Sequence, residues 1–372
     1  MPEAIRGAMS ILNVMWSGGA PFASIHKVHQ QILSQAASTS PVKTWLLQGC
    51  ATDCGVNVAG AREWNLSSAQ LKGRHFWRLT KPWMQAGFKK ALLESQADLL
   101  LLDGLGVART LLPLLKKLPH VRAIVIFHGS TRLRPEDRAL FQHFKPTQLT
   151  LVAVSGTLAT KLGQDLQLPI QALRSAYDPV AFRAEVLSRE DARARLGLPL
   201  DETPVLGAVG RLEDKKGFAC LLDAFALALK QRADLRLVII GEGSNRAALQ
   251  ARIDSLGLGG NVSLPGHLND AAQLYRAFDW VAIPSLSEGL GLIMQEAVMA
   301  DVPVIASELP VFREQLDDKG VYVAAADVNA WSAAIVSAFD ASASTIAAAQ
   351  YRKLAPDQAW LDFSQAVREL LS

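Results

Sequence analysis

Short, nearly continuous apolar runs alternate along this chain with stretches whose apolar positions recur at helical spacing. The runs predict strands at Ile11–Met15, Thr44–Leu47, Leu99–Asp103, Ala123–Phe127 and Leu149–Val154. A second series follows at Val205–Val209, Leu235–Ile240, Asn261–Leu264, Trp280–Ile283 and Pro303–Ala306. Runs without polar alternation suit parallel strands covered on both faces. The intervening segments, such as Gly217–Lys230 and Asn245–Leu256, predict helices. Strand–helix alternation repeated twice predicts an α/β protein with two Rossmann-like, doubly wound parallel-sheet domains facing a central cleft.

Between the two series lies FRAEVLSREDARARLGLPLDETP, a polar, turn-rich segment whose LPLDETP end predicts a linker and loop. It places one domain at residues 1–185 and a second at 186–350. The alanine-rich stretch 341–349 predicts a surface helix. The amphipathic segment Pro356–Leu371 predicts a terminal helix, within a tail 351–372 that packs back towards the first domain.

Composition narrows the picture without changing it. At 372 residues the chain suits two domains of roughly 150–200 residues each. No apolar run reaches the ~18–20 residues that span a bilayer, and the N-terminus predicts a buried strand rather than a signal peptide. A net charge of +3 gives no general case for nucleic acid. Three cysteines, Cys50, Cys54 and Cys220, suit a reducing cytoplasm. The C-x3-C pair has no second Cys/His pair to complete a zinc site.

The candidate chemistry clusters after strands of the second series. AVGRLEDKKGF carries Arg211 and Lys216 to a strand end, with Gly217 opening a helix. Two cations beside a helix N-terminus suit a diphosphate. LVIIGEGSNR ends a strand in Gly-x-Gly, including Gly241. Arg246 stands where a dinucleotide fingerprint needs its third glycine. In SEGLGLIMQEAVMADVPVIAS, Gly289 and Gly291 allow close backbone approach to a ligand. Eight residues of helical rise put Glu288 and Glu296 roughly 12 Å apart, too far for a hydrolytic carboxylate pair. That gap suits two ends of one elongated ligand, a sugar at one and a ribose at the other.

GRLEDKKG, IIGEGSNRAAL, VSLPGH, YRAFDWVAIPS and the SEGLG segment occur in the order and spacing of the GT-B glycosyltransferases. The chain resembles the retaining family four (glycosyl transferases group 1), nearly throughout its second domain. The resemblance implies that Glu288 holds the donor sugar and Glu296 the nucleotide ribose. It implies that the amides of Leu290, Gly291 and Leu292 touch sugar and phosphate, that Arg211 and Lys216 clamp the diphosphate, and that Gly266 and His267 read the base. The first domain matches more loosely. Gly18 and Gly19 look like the family's glycine loop after the first strand, His128 takes the place of its cleft histidine, and Ser155 that of its VS turn. In SAYDPVAF, Asp178 and Phe182 match the family, and Ser175 stands where the family has asparagine. The other histidines, among them His26 and His29, read as surface or packing residues.

The implied reaction transfers a glycosyl unit from a nucleoside diphosphate sugar, UDP-sugar favoured, to an acceptor hydroxyl with retention. His128, Arg211, Lys216 and Glu288 would be its catalytic residues. No D-x-D-like motif is present, so no metal and no cofactor are expected. LKGRHFWRLTKPWMQAGFKKALLE places Lys72, Arg74, Arg78, Lys81, Lys89 and Lys90 among Trp77 and Trp83 ahead of the first acid. Pro82 suits a first helical turn, and Met84, Phe88, Ala91 and Leu92 fall on one face. The segment predicts a surface for an anionic membrane, hence a peripheral protein on the inner face of the cytoplasmic membrane. It also points to a glycan or lipid-linked acceptor, as in cell-surface polysaccharide or lipopolysaccharide core synthesis. Nucleic acid is not expected. A nucleotide-sugar epimerase on the same fold and a non-catalytic binding subunit are the alternatives.

Overall fold

A computed structural model of the chain describes residues 9–18, 23–51, 60–72, 77–129 and 131–372, apart from the side chains of Ala23, Trp77 and Arg78. Gly19 and Arg74 lie outside the described residues. The chain divides into two compact units. One is Met1–Ser175 together with Phe363–Ser372, and the other is Ala176–Asp362. The sequence pattern had suggested a division near residue 185.

The first unit holds a seven-stranded sheet. Its strands are β1 (Ile11–Ser17), β2 (Val42–Gln48), β3 (Arg62–Glu63), β4 (Leu99–Asp103), β5 (Arg122–Phe127), β6 (Leu149–Ala153) and β7 (Gln171–Ala172). They are ordered β3-β2-β1-β4-β5-β6-β7, and every pair is parallel. The second unit holds β8 (Val205–Val209), β9 (Arg236–Ile240), β10 (Val262–Gly266), β11 (Trp280–Ile283), β12 (Val304–Ser307) and β13 (Val321–Val323), ordered β10-β9-β8-β11-β12-β13. Both orders reverse direction at one point, between β1 and β4 and between β8 and β11. In doubly wound sheets the crevice beyond the carboxyl ends at such a point is where ligands bind.

The central strands are buried along their length, as the unbroken runs Leu99–Leu102 and Val281–Ile283 require. The predicted strands all occur, with ends shifted by at most two residues. The edge strands β3, β7 and β13 were not predicted. Each has two or three residues, and β3 and β7 are exposed, so none carries a buried-strand pattern.

The polar segment between the two strand series belongs to the second unit, with helices at Pro179–Glu185 and Arg189–Arg195, and its end at 198–204 is a loop, as expected. Arg193 is 1% exposed and donates to the carbonyls of Ala277, Pro199, Asp201 and Thr203. A guanidinium has five donors, so this polar segment is tied down by charge rather than left loose. The alanine-rich stretch carries the expected surface helix, Ala343–Leu354, which buries Ala347, Gln350 and Leu354 on one face. The Gln350 amide exchanges two bonds with the Val304 backbone at 2.8 and 3.0 Å. Pro82 lies inside the Trp77–Ser95 helix, not in its first turn. The helix after Gly291 starts only at Leu292, so helical rise covers just part of the way from Glu288 to Glu296.

Candidate functional site

In the second unit, the loops leaving β8 and β11 are joined by backbone. Leu286 N–H donates to the Lys215 carbonyl at 2.8 Å. Gly217 makes this approach possible. It adopts φ +71°, and a Cβ there would stand 2.0 Å from the Pro284 carbonyl oxygen. One turn of 3-10 helix over Asp214–Lys216 then aims Lys216 at Glu288. The Lys216 ammonium donates to Glu288 Oε1 at 2.5 Å, and Ser285 Oγ donates to the same oxygen at 2.8 Å. Both charged side chains are 12% exposed. Arg211, on the same loop, pairs with Glu213 at 2.8 Å.

The glycines around this set have separate structural reasons. A Cβ on Gly241 would sit 1.8 Å from the Gly210 carbonyl oxygen, so the ends of β8 and β9 can meet only without side chains. Gly291 has φ +80° and faces the Phe312 ring, 2.4 Å from where a Cβ would be. It caps the Leu292–Met299 helix, whose first N–H groups have no acceptor within the helix. The Leu290 carbonyl accepts from Gln315 at 2.6 Å, and Gly289 is buried beside it. Gly266 ends β10 at φ +89°, and the exposed His267 bonds Asn269 at 3.0 Å.

Glu296 differs from Glu288. It is 6% exposed, and the hydroxyls of Tyr177 and Tyr275 donate to its two oxygens, the latter at 2.9 Å. Burial, then the Glu296 charge, raises both phenols well above their ordinary value. Neither tyrosine was singled out in the sequence. Tyr177 stands within SAYDPVAF, two residues before a helix capped by Asp178, and nothing local ties it to Glu296.

In the first unit, His128 follows β5 and meets residues that the sequence left as packing or surface. His29, 1% exposed, places Nε2 3.2 Å from His128 Nε2 and Nδ1 2.7 Å from Asn13 Oδ1. Asp103, at the end of β4, holds Oδ1 3.6 Å from His128 Nε2 and accepts the Trp16 N–H on Oδ2 at 2.9 Å. Burial raises the Asp103 carboxyl to about 6, against the pull of the Trp16 N–H. It lowers His128 to about 3, aided by His26, and holds His29 well below the usual range. His26 bonds the Ser17 carbonyl at 2.9 Å. A His-x-x-His pair on the first helix, directly after β1, was the available signal for these histidines. His29, Asp103 and His128 bring three possible metal-ligand atoms within 4.8 Å of one another. Gly18, at the end of β1, donates its N–H to Gln48 at 2.9 Å.

The basic segment divides between a face and a pocket. On the Trp77–Ser95 helix, Phe88, Ala91 and Leu92 are buried, Met84 is half-buried, and Leu79 and Trp83 stand out at 75% and 73% exposure. Lys89 and Lys90 are exposed, with Lys90 facing Glu94 at 3.9 Å. A pocket of about 100 Å³ is lined by Trp16, Lys72, Lys81, Met84, Arg109 and Arg134, among others. Arg109 is the neutralised cation there, bonded to buried Asp137 at 2.6 and 2.7 Å.

Residues 188–354 match the family model described as glycosyl transferases group 1. Among similar proteins, a D-inositol 3-phosphate glycosyltransferase of Segniliparus rotundus is 35% identical over 157 residues, 39% of this chain and 34% of that protein. A 2-deoxystreptamine glucosyltransferase of Streptomyces kanamyceticus is 32% identical over 151 residues, 40% of this chain and 39% of that protein. The aligned region thus spans little over a third of these relatives' length. Solved structures are similar over nearly the whole chain. Sucrose-phosphate synthase from Thermosynechococcus elongatus gives a TM-score of 0.76 at 18% identity, covering 97% of this chain and 99% of that one. Anabaena Alr3699/HepE, solved with UDP and glucose, gives 0.74 at 18%, covering 98% and 99%. The fold is the two-domain α/β GT-B fold.

Proposed function

We propose that the protein is a retaining, group 1 glycosyltransferase of family four. It moves a sugar from a nucleoside diphosphate sugar to an acceptor hydroxyl. The observation that carries this reading is the Lys216–Glu288–Ser285 set, with Arg211 on the same loop, at the carboxyl ends of β8 and β11. It stands where the strand order reverses, inside the region that matches the group 1 model. The UDP and glucose held by the Anabaena structure support a nucleotide-sugar donor, UDP-sugar first.

As the bond from the sugar to the diphosphate breaks, negative charge gathers on the leaving phosphate. Lys216 would exchange part of its bond to Glu288 for that oxygen, and Arg211 would turn from Glu213 to the other phosphate. The N–H groups at the start of the Leu292–Met299 helix add their dipoles. Such preorganised charge is commonly the largest catalytic contribution. With two cations in place, the diphosphate needs no metal of its own. Glu288, relieved of the ammonium, accepts from sugar hydroxyls. Glu296 reaches the ribose only if Tyr177 or Tyr275 shares it.

The acceptor side rests on the first unit. A pocket carrying Lys72, Lys81 and Arg134 suits an acceptor with an anionic group. A phosphate-bearing acceptor also stands in the name of one similar protein. Exposed Leu79 and Trp83 beside Lys81 support contact with an anionic lipid surface, hence a lipid-linked glycan and a peripheral location. No helix among the described residues is alone long and apolar enough to cross a membrane.

Thermal stabilisation by UDP, GDP and ADP, with and without EDTA, tests the donor reading. Ligand bound to the native state raises stability by RT ln(1 + [L]/Kd). A shift for one diphosphate that survives EDTA and is lost in Lys216→Ala supports it. No shift with any of the three overturns it.

A further inference from the structure

The geometry points to a divalent-metal site in the first unit, formed by His29 Nε2, His128 Nε2 and Asp103 Oδ1, of the kind that takes zinc. It uses His128, to which the family resemblance gives the donor sugar; the donor reading otherwise uses side chains of the other unit, and metal binding is read separately from nucleotide binding.

The three atoms come from three elements fixed by the sheet. His29 is on the helix Ala23–Leu33 that follows β1, Asp103 ends β4, and His128 follows β5. The outer atoms of His29 and Asp103 are already engaged in ways that turn the inner ones towards His128. An amide oxygen can only accept, so Asn13 Oδ1, 2.7 Å from His29 Nδ1, keeps the ring proton on Nδ1. His29 Nε2 therefore presents a lone pair to His128. The Trp16 N–H holds Asp103 Oδ2, which leaves Oδ1 on the histidine side. Ligating histidines usually have their other nitrogen fixed by such an acceptor.

Distances decide between this and a simple polar contact. Zinc bound at 2.0–2.2 Å by nitrogen and oxygen in a tetrahedron keeps its ligand atoms about 3.3 Å apart. The observed separations are 3.2 Å between the two Nε2 atoms and 3.6 Å from His128 Nε2 to Asp103 Oδ1, with all three atoms inside 4.8 Å. A hydrogen-bonded imidazole pair accounts for the first distance. The second is too long for a hydrogen bond but suits a carboxylate drawn in by an ion. Two imidazoles and one carboxylate are ligands for zinc and its first-row neighbours rather than for magnesium or calcium. Three protein ligands leave one exchangeable position. His128 is the most open of the three, at 12% exposure against 1% and 7%, so a water or hydroxyl would enter on its side.

The test uses the full chain stripped with EDTA, dialysed, and titrated with Co²⁺ alone and then Zn²⁺. The expected result is one cobalt per chain, with the strong visible bands of a four-coordinate ion, displaced by one zinc. Asp103→Asn keeps the shape of the side chain and an acceptor for Trp16, and His128→Ala removes a partly open ring. Each should abolish the stoichiometric binding while the circular dichroism of the fold is kept. Asn13→Ala should weaken binding about 10–100-fold, as loss of an orienting partner does. If His128→Ala does not fold, Asp103→Asn carries the test. Absence of stoichiometric cobalt, six-coordinate spectra, or binding indifferent to Asp103→Asn would each overturn the proposal and leave a hydrogen-bonded histidine pair.

Discussion

The two sheets share a strand order but differ in what they hold at the point where that order reverses. Beyond β8 and β11 stand a lysine and an arginine, each in a short ionic bond with its own carboxylate, Glu288 and Glu213. Beyond β1, β4 and β5 stand two imidazoles that burial keeps neutral and a carboxyl that burial pushes up to about 6. Topology therefore decides where chemistry is placed, and a few loop residues decide its sign. One set is ready to exchange an internal anion for an external one. The other offers lone pairs in a place where a charge without a partner is costly. The same contrast recurs between the two glutamates of the Glu288–Glu296 pair, one held by an ammonium and one by two phenols.

The largest expected effect tests the ionic side of this contrast. Lys216→Ala should lower turnover by about 10²–10³-fold, or about 2.7–4 kcal/mol, by analogy with loss of one oxyanion donor. Initial rates with the nucleotide sugar whose diphosphate stabilises the chain measure it, and near wild-type rates would mean that the loop is not a diphosphate clamp. Next comes the phenol-held carboxylate. Tyr275→Phe removes a hydrogen bond to a buried charge and should cost about 1.5–3 kcal/mol in urea unfolding, whereas an unchanged midpoint would show that Glu296 is satisfied without it. Alkaline titration sharpens the same point. Both phenols are raised above 10.0, so the native chain keeps protons that the unfolded chain loses. Their stabilisation is complete below pH 10 and is lost as pH rises through the raised native values. The fall should be about 1.4 kcal/mol per pH unit for each tyrosine, and Tyr275→Phe should make it shallower. The smallest effect concerns Trp83. Trp83→Ala should change stability by less than about 0.5 kcal/mol, as for other exposed positions, yet reduce sedimentation with anionic vesicles. Equal sedimentation would remove the lipid surface from the reading.

What the sequence made legible follows the same physics. Central strands announce themselves because burial on both faces demands unbroken apolar runs, as in Leu99–Leu102. The edge strands β3 and β7 lack that demand and were invisible. Arg211, Lys216 and Glu288 could be read because each lies in a glycine-bearing loop directly after a strand. The tyrosines on Glu296 could not, since Tyr177 reaches it across 119 positions and only folding brings them together. His29 meets His128 across 99 positions in the same way. The burial of Arg193 was equally illegible. The side chain's polarity suggests solvent, but backbone carbonyls take the place of water.

The terminal helix Pro356–Leu371 crosses the division between the units, because Phe363–Ser372 belong with the first. Val367, Leu370 and Leu371 are buried, and the Leu370 carbonyl accepts from Arg122 at 3.2 Å. During synthesis, the first unit is thus begun early and closed last. All of residues 176–362 are made before its final segment arrives. A ribosome-bound chain should reach a protease-resistant second unit while the first still lacks these side chains.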